Sequence, residues 1–246
     1  MNYALILAGG QGERMGKNSV PKQFIDFFGK PLLVYSLETV EKNEYIDAAC
    51  VVAPIEWQEK IQGWCNKYGL IKLKFYADSG KDRQQSVHNG LKKIKAQRDD
   101  NVMIMTAVCP FVSQKTINEH FLKMNNYNAC ITVVKATDAI TFSNDGLHAN
   151  RTLQKSKMFV QQGPQTYKYN NIKTAHEQYD SSVYKTEVNE DSELVLNMGI
   201  EVAMVMGDRF CLKVTYPEDI AIVESLKRLF DAKENKYKDK DGSDNQ

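Results

Sequence analysis

The chain predicts an α/β domain: a mostly parallel sheet with helices on both faces. Continuous apolar runs rich in Val, Ile and Ala recur, and they suit strands covered on both sides. Segments with apolar residues at helical spacing lie between them. Runs and periodic segments alternate along 246 residues, 42% of them hydrophobic and 26% charged, enough to bury one sizeable core.

The first strand is "YALILA" (3–8). "PLLVYSLETVEKN" follows as a helix, with Pro31 suited to a first helical turn. "AACVVAP" (48–54) is a strand, and "QQSVHNGLKKIKAQ" places Val87, Leu91 and Ile94 on one helical stripe. "NVMIMTAV" (101–108) and "NACITVV" (128–134) flank the amphipathic "QKTINEHFLKMN"; "EVAMVMG" (201–207) is the last strand, and "EDIAIVESLKRLFDA" closes the domain. Residues 136–167 break the alternation. They hold strand-like pieces around an "NDG" turn (144–146), which reads as a β-hairpin arm over about 137–165. A lone hairpin is rarely stable, so packing of this arm in a homodimer is expected. One domain is expected over 1–232. The tail from 233 to 246, "KENKYKDKDGSDNQ", has almost nothing apolar and reads as disordered.

A net charge of +1 argues against nucleic acid or membrane as a partner, since any basic site must be local. Cys50, Cys65, Cys109, Cys130 and Cys211 form no C-x-x-C pair, and several lie in apolar runs as buried thiols would. With no signal peptide or membrane span read at the start, a cytoplasmic setting is expected.

The chemistry begins at "LILAGGQGERMG" (5–16). Glycines after the first strand of a parallel sheet sit at its carboxyl edge, where ligands bind in such folds. Gly9, Gly10 and Gly12 let backbone N–H groups approach phosphate oxygens, and Arg14 adds a guanidinium fork matched to phosphate. A P-loop fails, because Gly16-Lys17 is followed by Asn18 and Gln11 stands where its first glycine belongs. The dinucleotide fingerprint fails at Met15, and strand two offers only Glu56 as a ribose partner, which argues against a nicotinamide oxidoreductase. An unliganded glycine turn remains the bland alternative.

"LAGGxGxRMG", then "PKQF" with Lys22, then "GKPLL" resemble the opening of the cytidylyltransferases that act on methylerythritol phosphate or ribitol phosphate. The resemblance spans about residues 3–228. It implies a Rossmann-like sheet of the nucleotide-diphospho-sugar transferase type, with CTP and a phosphorylated small alcohol as substrates and Mg²⁺ as cofactor. "GKDRQQSVHNGL" (80–91) resembles the family's G-x-x-R-x-x-S-V-x-x-G, which implies Gly80 and Ser86 around the cytosine and Arg83 bracing the site. Leu7 and Ala8 join the nucleotide loop. "CLKVTYPEDI" resembles N-I-K-[IV]-T-x-P-x-D-[LI] and implies Lys213, at a strand end, as the lysine that reaches the α-phosphate. Arg14, Lys22 and Lys213 are thus the expected catalytic cations. On the acceptor side the resemblance implies Asp138, Lys155 (where relatives carry arginine) and Gln165 of "QGPQTY", with Gly163 replacing the usual threonine.

One stretch departs from the pattern. Where relatives read H-D-A-[AV]-R-P, this chain has "MTAVCPF" (105–111), so the metal-binding aspartate is Thr106 and the arginine is Cys109. Two readings stand. In one, Mg²⁺ is held chiefly by the triphosphate with help from a carboxylate such as Glu190 or Asp191; in the other, the chain is a weakened relative that binds a nucleotide without turnover. "LAGG", the long Arg14–Lys22 spacing, Glu56-Trp57, Lys67-Tyr68 and "AVxPF" resemble the alditol-phosphate branch, with ribitol 5-phosphate the leading acceptor.

Overall fold

Seven strands form one twisted sheet in the computed structural model, which describes residues 1–10, 20–180 and 188–241, without the side chains of 180 and 233–241. In chain order the elements begin with β1 (Asn2–Leu7), the short pair β2 (Asp26–Phe27) and β3 (Lys30–Pro31), α1 (Leu32–Lys42), β4 (Ala48–Ala53), α2 (Ile55–Tyr68) and β5 (Leu73–Asp78). Next come α3 (Arg83–Lys93), β6 (Asn101–Thr106), α4 (Gln114–Lys123) and β7 (Ala129–Lys135). The arm strands β8 (Thr141–Phe142) and β9 (Arg151–Thr152) precede β10 (Phe159–Lys168), α5 (Tyr169–Asp180), α6 (Asp191–Asn197), β11 (Ala203–Met206) and α7 (Pro217–Asp241).

The sheet order is β11-β7-β10-β6-β1-β4-β5. All neighbours are parallel except β10, which runs antiparallel to both β6 and β7. Helices cover both faces, as the apolar runs predict. One core layer packs Leu33, Leu37, Ile61, Ile117 and Phe121 from α1, α2 and α4 on the sheet. The opposite layer packs Val87, Leu91, Ile172 and Leu194 from α3, α5 and α6. Chain order reverses at β1, between β4 and β6, so a crevice opens at the carboxyl ends of β1 and β6.

Three expectations shift. The arm is a hairpin, with Thr141 and Phe142 paired to Thr152 and Arg151 and Gly146 at φ 72° in its turn. It ends sooner than 165, because residues from Phe159 onward join the main sheet as β10. Lys213 lies in an extended loop and not in a strand; what holds that loop is Val214 N–H donating to Val108 O at 2.9 Å. Finally, α7 carries helical backbone on to Asp241, into the tail that composition predicts to be disordered. Its start is well specified, with Pro217 in the first turn and the Asp219 carboxylate accepting the N–H groups of Thr215 (2.7 Å) and Tyr216 (2.8 Å).

Candidate active site

A cavity of about 760 Å³ lies over the carboxyl ends of β1 and β6. Segments far apart in sequence line it, among them Leu7–Gly10 at the end of β1, residues from Ser79 to Ser86 at the start of α3, the end of β6 with Thr106, the Gln161–Gln165 stretch of β10, and Cys211–Lys213 after β11.

The glycine loop is built by more than missing side chains. The Gln23 amide, itself buried, donates to Ala8 O at 2.6 Å and to Gly10 O at 2.9 Å, fixing the direction in which the loop leaves β1. Gln23 stands in a single 3-10 turn, Lys22–Phe24, anchored by the Phe24 ring stacked on Trp57 at 4.2 Å. That turn sets Lys22 on the cavity wall. A Cβ on Gly9 would meet the Cβ of Ser79 at 2.4 Å, so this glycine lets the first two binding segments touch. At Gly10 a Cβ would meet no atom of the described residues within 4 Å.

The second segment is a tight turn into α3. Asp82 caps the helix by accepting Gln85 N–H at 2.7 Å. Ser86 Oγ accepts Gly80 N–H at 2.9 Å and donates to Asp82 O at 2.8 Å. Ser86 lines the cavity at the position expected beside the cytosine, and what its hydroxyl has left to offer a ligand is an acceptor site. Its one proton is given to the turn, and it shapes the backbone that faces the cavity. A Cβ on Gly80 would lie 2.5 Å from that of Gln85, so only glycine permits this turn.

Arg83 braces the floor. Its Nη2 is 2.6 Å from Asp191 Oδ2 and 3.0 Å from Glu190 Oε2. Asp191 is wholly buried, and its other oxygen is 2.9 Å from His176 Nε2. Burial alone would push the Asp191 carboxyl up, but Arg83 and the His176 hydrogen bond outweigh it and hold it below its ordinary value. Asp191 does not line the cavity, so it is no candidate metal ligand. Glu190 does line it, tied to Arg83 and to the Gln165 amide at 2.5 Å. Gln165 lines it as expected, yet its carbonyl oxygen also accepts the Tyr167 hydroxyl.

Of the expected cations, Lys22 and Lys213 converge on the cavity. Arg14, like Gly12, lies outside the described residues. Asp138 and Lys155 are not on this wall. Both are exposed in the arm, where Lys155 Nζ donates to Thr137 O at 3.3 Å and Asp138 accepts the Thr137 hydroxyl at 3.3 Å.

The donor set does not fit a protein-held magnesium ion. Thr106 lines the cavity at the end of β6 and offers a neutral hydroxyl. The lining carboxylates Asp82 and Glu190 are engaged by Gln85 N–H and by Arg83 with Gln165. Among the described residues no group of three or more His, Cys, Asp or Glu side chains could hold a metal. A hard cation prefers several oxygen ligands, anionic ones above all.

A parallel sheet with a switch-point crevice, backbone donors at its mouth and paired lysines on its walls defines a nucleotidyltransferase-type α/β enzyme fold. The chain belongs to the family described as "IspD: 2-C-methyl-D-erythritol 4-phosphate cytidylyltransferase", whose model matches residues 3–228. Its members are CTP-dependent cytidylyltransferases and generally depend on a divalent metal. A ribitol-5-phosphate cytidylyltransferase of Vibrio parahaemolyticus is 31% identical over 96% of this chain and 98% of its own length. A 2-C-methyl-D-erythritol 4-phosphate cytidylyltransferase of Clostridioides difficile is 35% identical over 92% of this chain and 93% of its own. The crystal structure of 4-diphosphocytidyl-2C-methyl-D-erythritol synthase from Anaerococcus prevotii shares the fold, with a TM-score of 0.80, 24% identity, and 92% and 96% of the two chains covered. No helix among the described residues is long and apolar enough to cross a membrane.

Gln23 is the functional side chain that sequence reasoning passed over, although it stands inside the quoted "PKQF". A glutamine flanked by Lys22 and a buried Phe24 is the only available signal.

Proposed function

We propose that this chain transfers CMP from CTP to a phosphorylated alditol, ribitol 5-phosphate first among them, releasing pyrophosphate. The observation that carries this reading is the convergence of Lys22 and Lys213, from opposite ends of the chain, on the cavity shared by Leu7–Gly10 and Gly80–Ser86. The backbone of residues 80–86 faces the base, and the first loop faces the phosphates. The acceptor's phosphate oxygen is already anionic, so in-line attack on the α-phosphorus needs no strong general base. Lys22 and Lys213 neutralise charge that builds on the phosphorus and the departing pyrophosphate. Arg14, from the loop that follows Gly10, is the third cation of this reading. Any magnesium would be held by the CTP phosphates themselves, where it would share in neutralising their charge.

Ribitol 5-phosphate is favoured by "LAGG", Glu56-Trp57, Lys67-Tyr68 and "AVxPF", and by the 96% coverage shared with the Vibrio relative. At Gly163 a Cβ would meet no atom of the described residues within 4 Å, which supports room on this cavity wall for an extended polyol. The 35% identity to the Clostridioides relative supports 2-C-methyl-D-erythritol 4-phosphate as the second acceptor. Asp138 and Lys155 serve the acceptor from the arm of a second copy in a homodimer; exposed Phe142 and Leu147 on that arm support the pairing. The setting is cytoplasmic.

A pyrophosphate-release screen tests the reading. CTP is offered with ribitol 5-phosphate, methylerythritol 4-phosphate, and arabinitol and glycerol phosphates, with the other nucleoside triphosphates as controls. Release with CTP and ribitol 5-phosphate above the rest is the expected result. CTP binding without release on any acceptor would leave a nucleotide-binding relative and overturn the proposed transfer.

A further inference from the structure

The cavity holds a pair of groups that CMP transfer leaves unused. Cys109, in the turn after β6, and Cys211, in the loop after β11, both line it, and the two thiols are near enough to share a hydrogen bond. The loops are held side by side by the Val214 N–H to Val108 O bond at 2.9 Å. Both residues also belong to one buried cluster, and in the reduced protein the Cys211 S–H donates to Gly163 O at 3.9 Å. In the pattern quoted above these two positions read arginine and asparagine. Here both are thiols.

Their surroundings differ from those of the other cysteines. Cys50, Cys65 and Cys130 are absent from the cavity wall, and burial pushes their thiols up to about 12, 11 and 12. Cys211 moves the other way, held below its ordinary value by the hydrogen bond from Cys109. Lys22 and Lys213 place positive charge beside Cys109, and the cavity gives a small oxidant a path in. The Cys109 thiol is held well above its ordinary value by that hydrogen bond and by burial, so it keeps its proton, while Cys211 carries the thiolate against the opposing charge of Asp208. Two neighbouring thiols of opposite tendency on a cavity wall are the arrangement of a resolvable redox pair.

We propose that Cys109 and Cys211 form a redox-modification site that a hydroperoxide closes to a reversible disulfide, switching off the nucleotide cavity. The Cys211 thiolate attacks the peroxide: an S–O bond forms, the O–O bond breaks, and hydroxide leaves to become water. The Cys109 sulfur then attacks the sulfenic sulfur. The S–S bond forms, the S–O bond breaks, and a second water leaves with the Cys109 proton. The two thiols lose two electrons and the peroxide gains them. A bond of about 2.05 Å replaces a longer contact, drawing the loop that carries Lys213 toward β6. The loss of activity rests on the cytidylyltransferase reading; the disulfide itself does not.

The test uses full-length reduced protein treated with hydrogen peroxide, alkylated and mapped by mass spectrometry. The expected product is a Cys109–Cys211 cross-linked peptide, with Cys50, Cys65 and Cys130 unlinked, that dithiothreitol reverses and that Cys109→Ser and Cys211→Ser each prevent. The CTP-induced rise in Tm disappears on oxidation and returns on reduction, and turnover falls on the order of a hundredfold, the scale of losing one preorganised contact. Circular dichroism of each variant shows that the fold persists. Independent oxidation of the two sulfurs without a cross-link overturns the proposal. So does a cross-link that leaves the CTP-induced shift intact. A reduced protein that forms the cross-link on oxidation but never binds CTP sinks the cytidylyltransferase reading and the switch, and leaves the disulfide standing.

Discussion

Asp191 Oδ2 lies 2.6 Å from Arg83 Nη2, and through this pair a buried carboxylate on α6 holds the guanidinium that supports the cavity floor. The other Asp191 oxygen is 2.9 Å from His176 Nε2, so one fully buried residue joins α3, α5 and α6. The catalytic cleft and the helical layer behind it share this anchor.

Removing Asp191 leaves Arg83 with Glu190 as its remaining carboxylate and His176 without its buried acceptor. Asp191→Ala is expected to destabilise the fold by about 2–3 kcal/mol, less than for a fully buried pair because Arg83 is part-exposed and keeps Glu190. Asp191→Asn is expected to cost less still, because the amide keeps one hydrogen-bonding oxygen. Urea unfolding monitored by circular dichroism reads this. A loss below about 1 kcal/mol for Asp191→Ala would show that the anchor carries little.

Acid sensitivity follows from a second buried network. His120 Nε2 is 2.8 Å from the Thr132 hydroxyl, whose own proton goes to Pro164 O at 2.8 Å. Nε2 is therefore the protonated nitrogen, and Nδ1 accepts from the Thr166 hydroxyl at 2.9 Å. Burial lowers the His120 pKa from 6.5 to about 3. In that window the unfolded chain binds a proton that the folded chain refuses. Stability is therefore complete above pH 6.5 and falls as the pH drops toward 3, by about 1.4 kcal/mol per pH unit for one proton. The depressed Asp191 pKa adds its loss later, below its ordinary value near 3.8. Unfolding free energies measured from pH 7 downward should fall less steeply in His120→Gln. Equal slopes in the two proteins would rule out His120 as the source.

Lys22 and Lys213 both line the cavity, so their removal is expected to cost rate more than structure. Lys22→Ala and Lys213→Ala are each expected to lower turnover about a hundredfold or more, with Tm close to wild type. Near-wild-type turnover in either purified variant would remove that lysine from the mechanism.

Thr106 marks the missing carboxylate at the end of β6. Thr106→Asp adds an anionic oxygen on the cavity wall, where a metal carried by CTP can meet it. The expected outcome is faster turnover and half-saturation at lower Mg²⁺, read from a magnesium titration of the pyrophosphate assay. An unchanged titration curve would show that metal binding is not the step that Thr106 limits.

Much of the fold was legible because burial writes itself into composition. β1, β4, β6 and β7 are covered on both faces, and their sequences are unbroken apolar runs. β10 escaped notice because its "QQGPQ" centre lines the cavity, which selects polar side chains where a buried strand would carry valine. β5 escaped as an edge strand with only Ala77 buried. In the site, the glycines and Lys22 could be read locally, since turn chemistry and motif spacing are short-range properties.

The amino-acid order alone determined the strand-helix alternation, the glycine-rich mouth and the family likeness, since each depends on neighbours within a few residues or on a pattern of residue types. Only the tertiary structure decided which polar groups are already taken. Ser86 holds its own turn, Asp191 belongs to Arg83 and His176, and Cys109 touches Cys211. Such pairings join residues far apart in the chain, and a hydrogen bond is settled by distance and direction, which no local pattern encodes.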